Sequence, residues 1–300
     1  GFFLATIIGS FSQSIYLFMA IKGWEYFQIT SRDKQLHRDM VNYSQPLILN
    51  NISWWINGVS NRYIITWFCG IAANGIYSVS YKIPSILVMF QGIFSQAWTM
   101  SAVQGYDKDD KNGFFTRMYQ SYNLCMVLVC SVLIMLSRVM AKVLYANDFY
   151  NAWKYVPFLL IASVFGALSG YVGGIFAATK DTKIFAKTSI MGAVSNLLLT
   201  FVLVWKVGVM GAAIASPVSY GLIWYLRIKS VSKYMNMKIN LFKDVFGYLI
   251  LCVQTVLLFI FPDNILFFIL QLLAIVVLLL LNKELLSIVM NKITNKFLKR

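Results

Sequence analysis

Two basic residues lie inside an apolar hairpin that runs from about residue 46 to residue 103. Arg62 is in the first arm and Lys82 in the second, and each arm is long enough to cross a bilayer. A cation near the bilayer centre costs roughly 2.5–3.5 kcal/mol on insertion scales, so it indicates a functional site. At about 1.5 Å per residue, both cations lie about 10–12 Å from the turn that joins the arms. The hairpin therefore predicts two cations at one depth on neighbouring helices.

No acidic residue accompanies these cations within the apolar segments. All eleven Asp and Glu residues of the chain fall in predicted loops or at the ends of predicted spans. An unpaired charge inside a dry helix bundle is costly. Arg62 and Lys82 must therefore face a water-filled cavity, pair with an acidic residue outside this sequence, or bind an anionic substrate.

Polar and aromatic residues repeat at helical spacing around the two cations. One face of the first arm carries Asn50, Trp54, Asn57 and Asn61, and the neighbouring stripe carries Asn51, Trp55, Gly58 and Arg62. One face of the second arm carries Ser78, Lys82, Ser85, Met89, Gly92 and Gln96. Such a set suits a sugar-phosphate ligand, and the candidate substrate-binding residues are Arg62, Lys82, Asn57, Asn61, Trp54 and Gln96. Alternatively, the amides bond between helices, the tryptophans pack, and the cations reach toward the interface.

The composition is that of an all-α polytopic membrane protein. Hydrophobic residues make up 59% of the 300 residues and charged residues 12%, whereas soluble chains have about a quarter charged residues. The net charge of +15 is typical of an inner-membrane protein with basic cytoplasmic loops. Because no basic patch falls on a predicted soluble surface, we do not expect nucleic acid as a partner.

The cysteine, histidine and acidic residues form no catalytic or metal-binding pattern. The four cysteines lie in apolar segments without a CxxC pair, and the single histidine, His37, lies in a charged loop. Neither a nucleophile–base pair nor a phosphate-binding loop nor a pair of intramembrane carboxylates can be found. We therefore expect no catalytic residues, no metal and no cofactor, and we expect a transporter rather than an enzyme.

Nine spans are predicted. They are about residues 2–21, the two hairpin arms, and residues 121–136, 155–178, 184–205, 210–226, 244–261 and 265–281. Polar or basic connections are predicted at residues 22–42 and 227–243, an interfacial stretch at 138–154 and a basic tail at 282–300. Lys and Arg residues divide twenty to four between the two sides, which places the C-terminus in the cytoplasm. Because the chain starts at Gly1, outside by this count, we expect a fragment whose N-terminal part is missing.

Several strings of the hairpin resemble a known family. They are YSQPLI at residues 43–48, SWW at 53–55, SNRYII at 60–65, GIYSVSYKIP at 75–84 and QAW at 96–98. These strings resemble the seventh and eighth spans of Wzx-type oligosaccharide flippases, a polysaccharide biosynthesis family of the MOP exporter superfamily. Members usually have fourteen spans, two six-helix bundles in a MATE-like fold followed by two helices. The nine predicted spans then match the sixth to the fourteenth, and about five spans are missing.

The resemblance implies three segments and a function. Residues 1–45 would be the last helix of the first bundle and a cytoplasmic linker, residues 46–230 the second six-helix bundle, and residues 231–300 two C-terminal helices with a basic tail. The family moves undecaprenyl-pyrophosphate-linked oligosaccharides across the bacterial inner membrane by alternating access, for O-antigen, lipopolysaccharide or other surface polysaccharides. Coupling to H⁺ or Na⁺ and a polymerase partner are implied. The family often has Asp where this chain has Asn61, which puts proton coupling at this position in doubt.

Other functions remain open from the sequence. A MATE-like or lipid II exporter of the same fold would differ in its substrate. A membrane polysaccharide polymerase or glycosyltransferase should have a large outer loop with catalytic residues, and the longest outer segment here is only residues 138–154. A structural subunit of an export complex would leave the polar faces of the hairpin unexplained.

Overall fold

A computed structural model describes residues 1–26, 33–179, 181–261 and 264–283. Within them the chain forms ten α-helices and two short 3₁₀ helices, Gly23–Tyr26 and Asn147–Lys154. The α-helices are α1 (Phe2–Ala20), α2 (Lys34–Cys69), α3 (Ile71–Ser80), α4 (Pro84–Gln104), α5 (Phe114–Leu144), α6 (Val156–Ala178), α7 (Thr182–Val207), α8 (Val209–Val231), α9 (Leu241–Ile260) and α10 (Ile265–Leu281). Two compact units, residues 1–44 and 45–300, are described separately below.

The prediction of a polytopic all-α membrane protein is confirmed. Seven of the described helices, α1 and α4 to α9, are long and apolar enough to cross a membrane. Helix α10 is apolar but has 17 residues. Helix α2 has 36 residues, but its asparagines and charges keep its hydropathy below that of the other spans. The count of nine spans therefore stays a prediction.

Several predicted boundaries are corrected by the structure. The connection predicted at residues 22–42 becomes helical at Lys34, where α2 begins. The fourth span is longer than predicted, since α5 reaches from Phe114 to Leu144 and includes part of the stretch predicted to be interfacial. The second hairpin arm is interrupted at residues 81–83, because Pro84 occupies the first turn of α4 and has no N–H to continue α3. The predicted basic tail lies outside the described residues beyond Lys283.

The first unit contains α1 and the 3₁₀ helix Gly23–Tyr26. Helix α1 is apolar along its length, and its side chains are exposed within this unit. The described salt bridge of the chain, between Lys22 and Glu25 at 3.8 Å, lies just after α1. Both of its side chains are exposed, so it contributes little to stability.

In the second unit, α6 is the most buried of the helices long enough to cross a membrane, and most of its residues are buried. Its Gly174 lies against Trp98 of α4, where an added Cβ would come within 2.7 Å of the indole Nε1. That indole stacks on Tyr171 with ring centroids 4.1 Å apart and donates a hydrogen bond to the Tyr171 carbonyl at 2.8 Å. The Tyr171 hydroxyl in turn donates to the carbonyl of Phe115 in α5. This aromatic contact fixes α4, which carries Gln96, to the centre of the bundle.

Buried amides attach the last two helices of the second unit. Gln254 of α9 donates to the Gln271 carbonyl of α10 at 3.4 Å, and Gln271 donates to the Gln254 carbonyl at 3.0 Å. Ser131 of α5 donates to Gln254 Oε1 at 2.8 Å. Near the start of α9, Asp244 accepts hydrogen bonds from Tyr119 and Asn123 of α5. Whether residues 231–300 form a separate segment remains a prediction.

Hydrogen bonds connect the loops at the end of the second unit where α4, α6 and α8 end. The Tyr234 hydroxyl donates to the carboxylate of Asp181, which caps α7, and the Tyr106 hydroxyl donates to the Tyr234 carbonyl at 2.6 Å. The hydrogen bond to Asp181, with burial, raises the pKa of Tyr234 to about 12. These bonds link the loop after α4 to the start of α7 and to the segment after α8.

Candidate functional site

The candidate residues of α2 divide between two environments. Arg62 and its neighbours Asn51 and Trp55 are exposed on one stripe of the helix. The guanidinium of Arg62 lies over the ring of Tyr81, 5.8 Å from its centroid. A cation–π contact of this kind is weak at an exposed site, so Arg62 keeps its donors available to a ligand.

Lys82 and Gln96 are exposed on a second stripe, which runs along α3 and α4. Lys82 lies in the interruption between these helices, next to Tyr81. Its own backbone N–H donates to Val79 at 3.0 Å, and the N–H of Ser85 donates to Tyr81 at 2.9 Å. Because the backbone donors near the interruption are already bonded, the Lys82 ammonium is the group that can meet a ligand here. We call the exposed residues Asn51, Arg62, Lys82, Ser85 and Gln96 the Arg62–Lys82 surface.

The electrostatics of the Arg62–Lys82 surface match the prediction of unpaired cations. Neither Arg62 nor Lys82 has a carboxylate within salt-bridge distance among the described residues. The sequence of α2 after Asp39, and of α3 and α4, contains no acidic residue. Both cations are exposed on the surface of the second unit, so neither is an unpaired charge buried within the protein. The surface is therefore positive and open.

Asn61 lies inside the bundle, with 1% of its surface exposed. Its Nδ2 donates to the Tyr77 hydroxyl at 3.2 Å and to Ser216 Oγ at 3.1 Å. Its Oδ1 accepts from Asn196 Nδ2 and Thr200 Oγ1, both at 2.9 Å. All four hydrogen-bonding positions of the amide are used. The residue therefore joins α2 to α3, α7 and α8 and presents no polar group to the Arg62–Lys82 surface.

Trp54 and Asn57 also point into the bundle. Trp54 is half-buried, stacks on Tyr220 with ring centroids 5.2 Å apart, and donates to Asn50 Oδ1 at 3.2 Å. Asn57 is 3% exposed, and neither polar atom of its side chain has a partner among the described residues. The structure thus brings Arg62, Lys82 and Gln96 to exposed stripes and places Trp54, Asn57 and Asn61 behind them.

The sequence prediction placed Arg227 in a basic loop, which is wrong. Arg227 lies within α8 and is 0% exposed. Its guanidinium donates to Ser189 Oγ and to the Ser169 carbonyl, both at 2.7 Å, and lies 4.2 Å from the centroid of the Phe185 ring.

A signal for this burial is present in the sequence. Arg227 falls three residues after Trp224 and four before Val231, which are both buried, so it shares their face of the helix. The loop was predicted from the positive charge of Arg227 without regard to this spacing. We assign Arg227 to the packing of α6, α7 and α8 rather than to the exposed surface.

Comparison with known proteins assigns the family. Residues 2–151, half of the chain, match the family described as "Polysaccharide biosynthesis protein". The chain belongs to this family, which confirms the resemblance drawn from the hairpin. It is 20% identical over 205 residues to the probable low-salt glycan biosynthesis flippase Agl15 of Haloferax volcanii, covering 67% of this chain and 43% of that protein. The chain thus spans less than half the length of this curated relative.

Two solved structures have a similar fold. One is the lipid II flippase MurJ in an inward closed conformation, with a TM-score of 0.59 and 17% identity over 94% of this chain and 60% of that one. Another is the Vibrio cholerae MATE transporter VcmN in its bent form, with a TM-score of 0.55 and 16% identity over 75% of this chain and 55% of that one. The MATE-like fold predicted from the hairpin is therefore confirmed.

Proposed function

We propose that this chain is the C-terminal part of a flippase that moves a lipid-linked oligosaccharide across a membrane. The observation that carries the proposal is the Arg62–Lys82 surface, where two exposed cations lie on adjoining stripes and have no acidic partner in the described part of the chain. The family and the name of the Haloferax volcanii relative support a lipid-linked glycan as substrate. A phosphate or pyrophosphate link between lipid and sugar supplies the matching negative charge.

The proposed mechanism separates the roles of the exposed and buried residues. Arg62 and Lys82 attract the anionic head group, and Gln96 and Asn51 offer amides to the sugars. In the proposed mechanism these exposed side chains face a water-filled cavity, so that binding is weak enough to permit release. The internal bonds of Asn61 and Arg227 keep the bundle rigid, so that it moves as one body against another bundle while the lipid tail stays in the bilayer.

The finer assignments belong to the same proposal. The protein lies in a bacterial inner membrane with its C-terminus in the cytoplasm, as the distribution of Lys and Arg supports. Residues 1–45 are the last helix of a first bundle with its linker, residues 46–230 a second bundle, and residues 231–300 two accessory helices with a tail. Transport uses an H⁺ or Na⁺ gradient, serves O-antigen or another surface polysaccharide, and works beside a polymerase. A transporter role, not an enzymatic one, is proposed.

Flipping by the full-length protein in proteoliposomes tests the function. Arg62→Gln and Lys82→Gln are each expected to lower the flipping rate of a lipid-linked oligosaccharide about tenfold, as loss of one charge-assisted hydrogen bond would. Arg62→Lys combined with Lys82→Arg should retain most activity. The control is Lys154→Gln, an exposed cation outside the surface. Normal flipping by the Arg62→Gln, Lys82→Gln double variant would remove the proposed role.

A substrate comparison distinguishes the alternative exporter. Lipid II, which has a pyrophosphate but a different glycan, is supplied to the same proteoliposomes in place of the oligosaccharide. The proposal expects faster flipping of the oligosaccharide. Faster flipping of lipid II would instead assign a lipid II exporter, and transport of a soluble cationic drug would assign a MATE-like exporter.

A further inference from the structure

An apolar groove runs along the surface of the second unit between α2 and α7. Its volume is about 390 Å³. Its walls are Trp55, Val59, Tyr63 and Trp67 of α2 and Leu197 and Phe201 of α7. Trp55 and Trp67 are 65% and 81% exposed, so the groove is open to its surroundings. We call it the α2–α7 groove.

The position of the groove relative to the bilayer follows from its ends. Helices α2 and α7 finish together, since a Cβ at Gly208 would lie 4.0 Å from Cys69 Sγ. Exposed tryptophans, Trp67 and Trp205, mark this end, and Lys206 follows at once. Tryptophan and lysine are enriched where a span meets the head groups. The groove therefore starts at the membrane interface and leads toward the bilayer centre.

The dimensions of the α2–α7 groove fit one hydrocarbon chain. From Trp55 to Trp67 the helix rises about 18 Å, which is close to half of a hydrocarbon core about 30 Å thick. A volume of about 390 Å³ spread over about 18 Å gives a mean cross-section of about 22 Å². The length and the mean cross-section fit one hydrocarbon chain of a single leaflet.

A positive charge lies at the end of the groove. Lys206 lies in the last turn of α7, next to the exposed Trp205. Neither α7 nor α2 after Asp39 contains an acidic residue. A phosphate at the interface would therefore meet the long cationic side chain of Lys206 and no repelling carboxylate from either wall.

We propose that the α2–α7 groove binds one anionic phospholipid, with an acyl chain between the aromatic walls and its phosphate near Lys206. This lipid belongs to the leaflet at which α2 and α7 end. The site depends on the protein being embedded in a membrane and does not depend on the flippase activity. Lys206 has no part in the Arg62–Lys82 surface, so its substitution separates the two proposals.

Quenching of tryptophan fluorescence by brominated acyl chains tests the site directly. The full-length protein is placed in phosphatidylcholine vesicles that contain a small fraction of dibrominated phosphatidylglycerol or, in the matched sample, dibrominated phosphatidylcholine. Brominated phosphatidylglycerol should quench the tryptophan fluorescence more strongly than brominated phosphatidylcholine does. The excess should disappear when the reporters are removed by Trp55→Phe with Trp67→Phe. Equal quenching by the two lipids in the unmodified protein would overturn the proposal.

Two further variants assign the head group and the chain. Lys206→Gln is expected to lower the preference for phosphatidylglycerol about fivefold, the effect of one basic residue near an anionic lipid, whereas Lys154→Gln should not. Val59→Phe narrows the groove and should abolish the excess quenching, whereas Val88→Phe, on the exposed face of α4, should not. Gel filtration verifies that each variant is folded. An unchanged preference in both Lys206→Gln and Val59→Phe would refute the site even if flipping is normal.

Discussion

The side-chain amides of Asn61 and Asn196 are bonded to each other across α2 and α7, with Asn196 Nδ2 donating to Asn61 Oδ1 at 2.9 Å. Both residues are almost fully buried. Next to Asn61 in the chain, Arg62 is exposed and lies over Tyr81. A neutral, bonded amide thus faces the bundle while its charged neighbour faces outward. One face of α2 is therefore hydrogen-bonded to the other helices of the bundle, and the face that carries Arg62 is available to a ligand.

Replacing Asn61 by Leu should destabilise the bundle by about 2–3 kcal/mol, the cost of leaving buried polar partners unmatched. The Thr200 hydroxyl and the Asn196 side-chain amide would both lose the Asn61 Oδ1 atom that accepts their hydrogen bonds. The free energy of unfolding in mixed micelles titrated with SDS measures the effect. Asn51→Leu, an exposed amide on the same helix, is the control. Equal stability of the two variants would show that the Asn61 bonds contribute nothing.

Asn57→Leu should behave differently from Asn61→Leu, although the two asparagines are one turn apart. Neither polar atom of the Asn57 side chain has a partner among the described residues. Leucine, of similar volume, would remove a buried polar group without breaking a side-chain bond. We expect stability within about 1 kcal/mol of the original or higher. Strong destabilisation in the same SDS titration would show that a bound water or ligand satisfies this amide.

At Arg227, we expect lysine to be tolerated less well than methionine. Lysine keeps a buried charge. It lacks the planar guanidinium whose several N–H groups donate to Ser189, Thr188 and the Ser169 carbonyl at the same time. Methionine removes the charge, and both hydroxyls retain other acceptors. We expect losses of about 3–5 kcal/mol for Arg227→Lys and smaller losses for Arg227→Met. Thermal unfolding in detergent ranks them, with Lys229→Met as the exposed control, and the reverse order would contradict this reasoning.

The protonated phenol of Tyr234 should stabilise the folded protein, and this contribution should be lost at strongly alkaline pH. Its hydrogen bond to Asp181, with burial, raises the pKa of Tyr234 to about 12 from an ordinary value of 10. A raised folded-state pKa means that the protonated phenol stabilises the fold fully below pH 10, and this contribution disappears between pH 10 and 12. Tyr234→Phe should therefore lower the melting temperature at pH 8, with the difference shrinking toward pH 12. Exposed Tyr225→Phe should show no such change, and a difference constant with pH would argue against the bond.

Helical spacing correctly predicted which residues of α2 share a face, whereas their role in binding stays a prediction. Asn50, Trp54, Asn57 and Asn61 do share one face of α2, and Arg62 does lie on the neighbouring stripe. The spacing could not tell which face turns inward, because polar amides suit both a hydrated cavity and a hydrogen-bonded interior. Asn196, Thr200 and Ser216 decide this question, and they lie more than 130 residues further along the chain.

Arg227 and Arg62 show what each level of description determines about this protein. The sequence by itself determined that the chain crosses a membrane in helices and that two cations lie within an apolar hairpin, because hydropathy and helical period are local properties. Only the tertiary structure decided that Arg62 remains exposed while Arg227, assigned by its charge to a loop, is buried. The physical reason is that burial of a side chain depends on neighbours from α6 and α7, whose hydrogen-bond acceptors replace the water that the guanidinium loses.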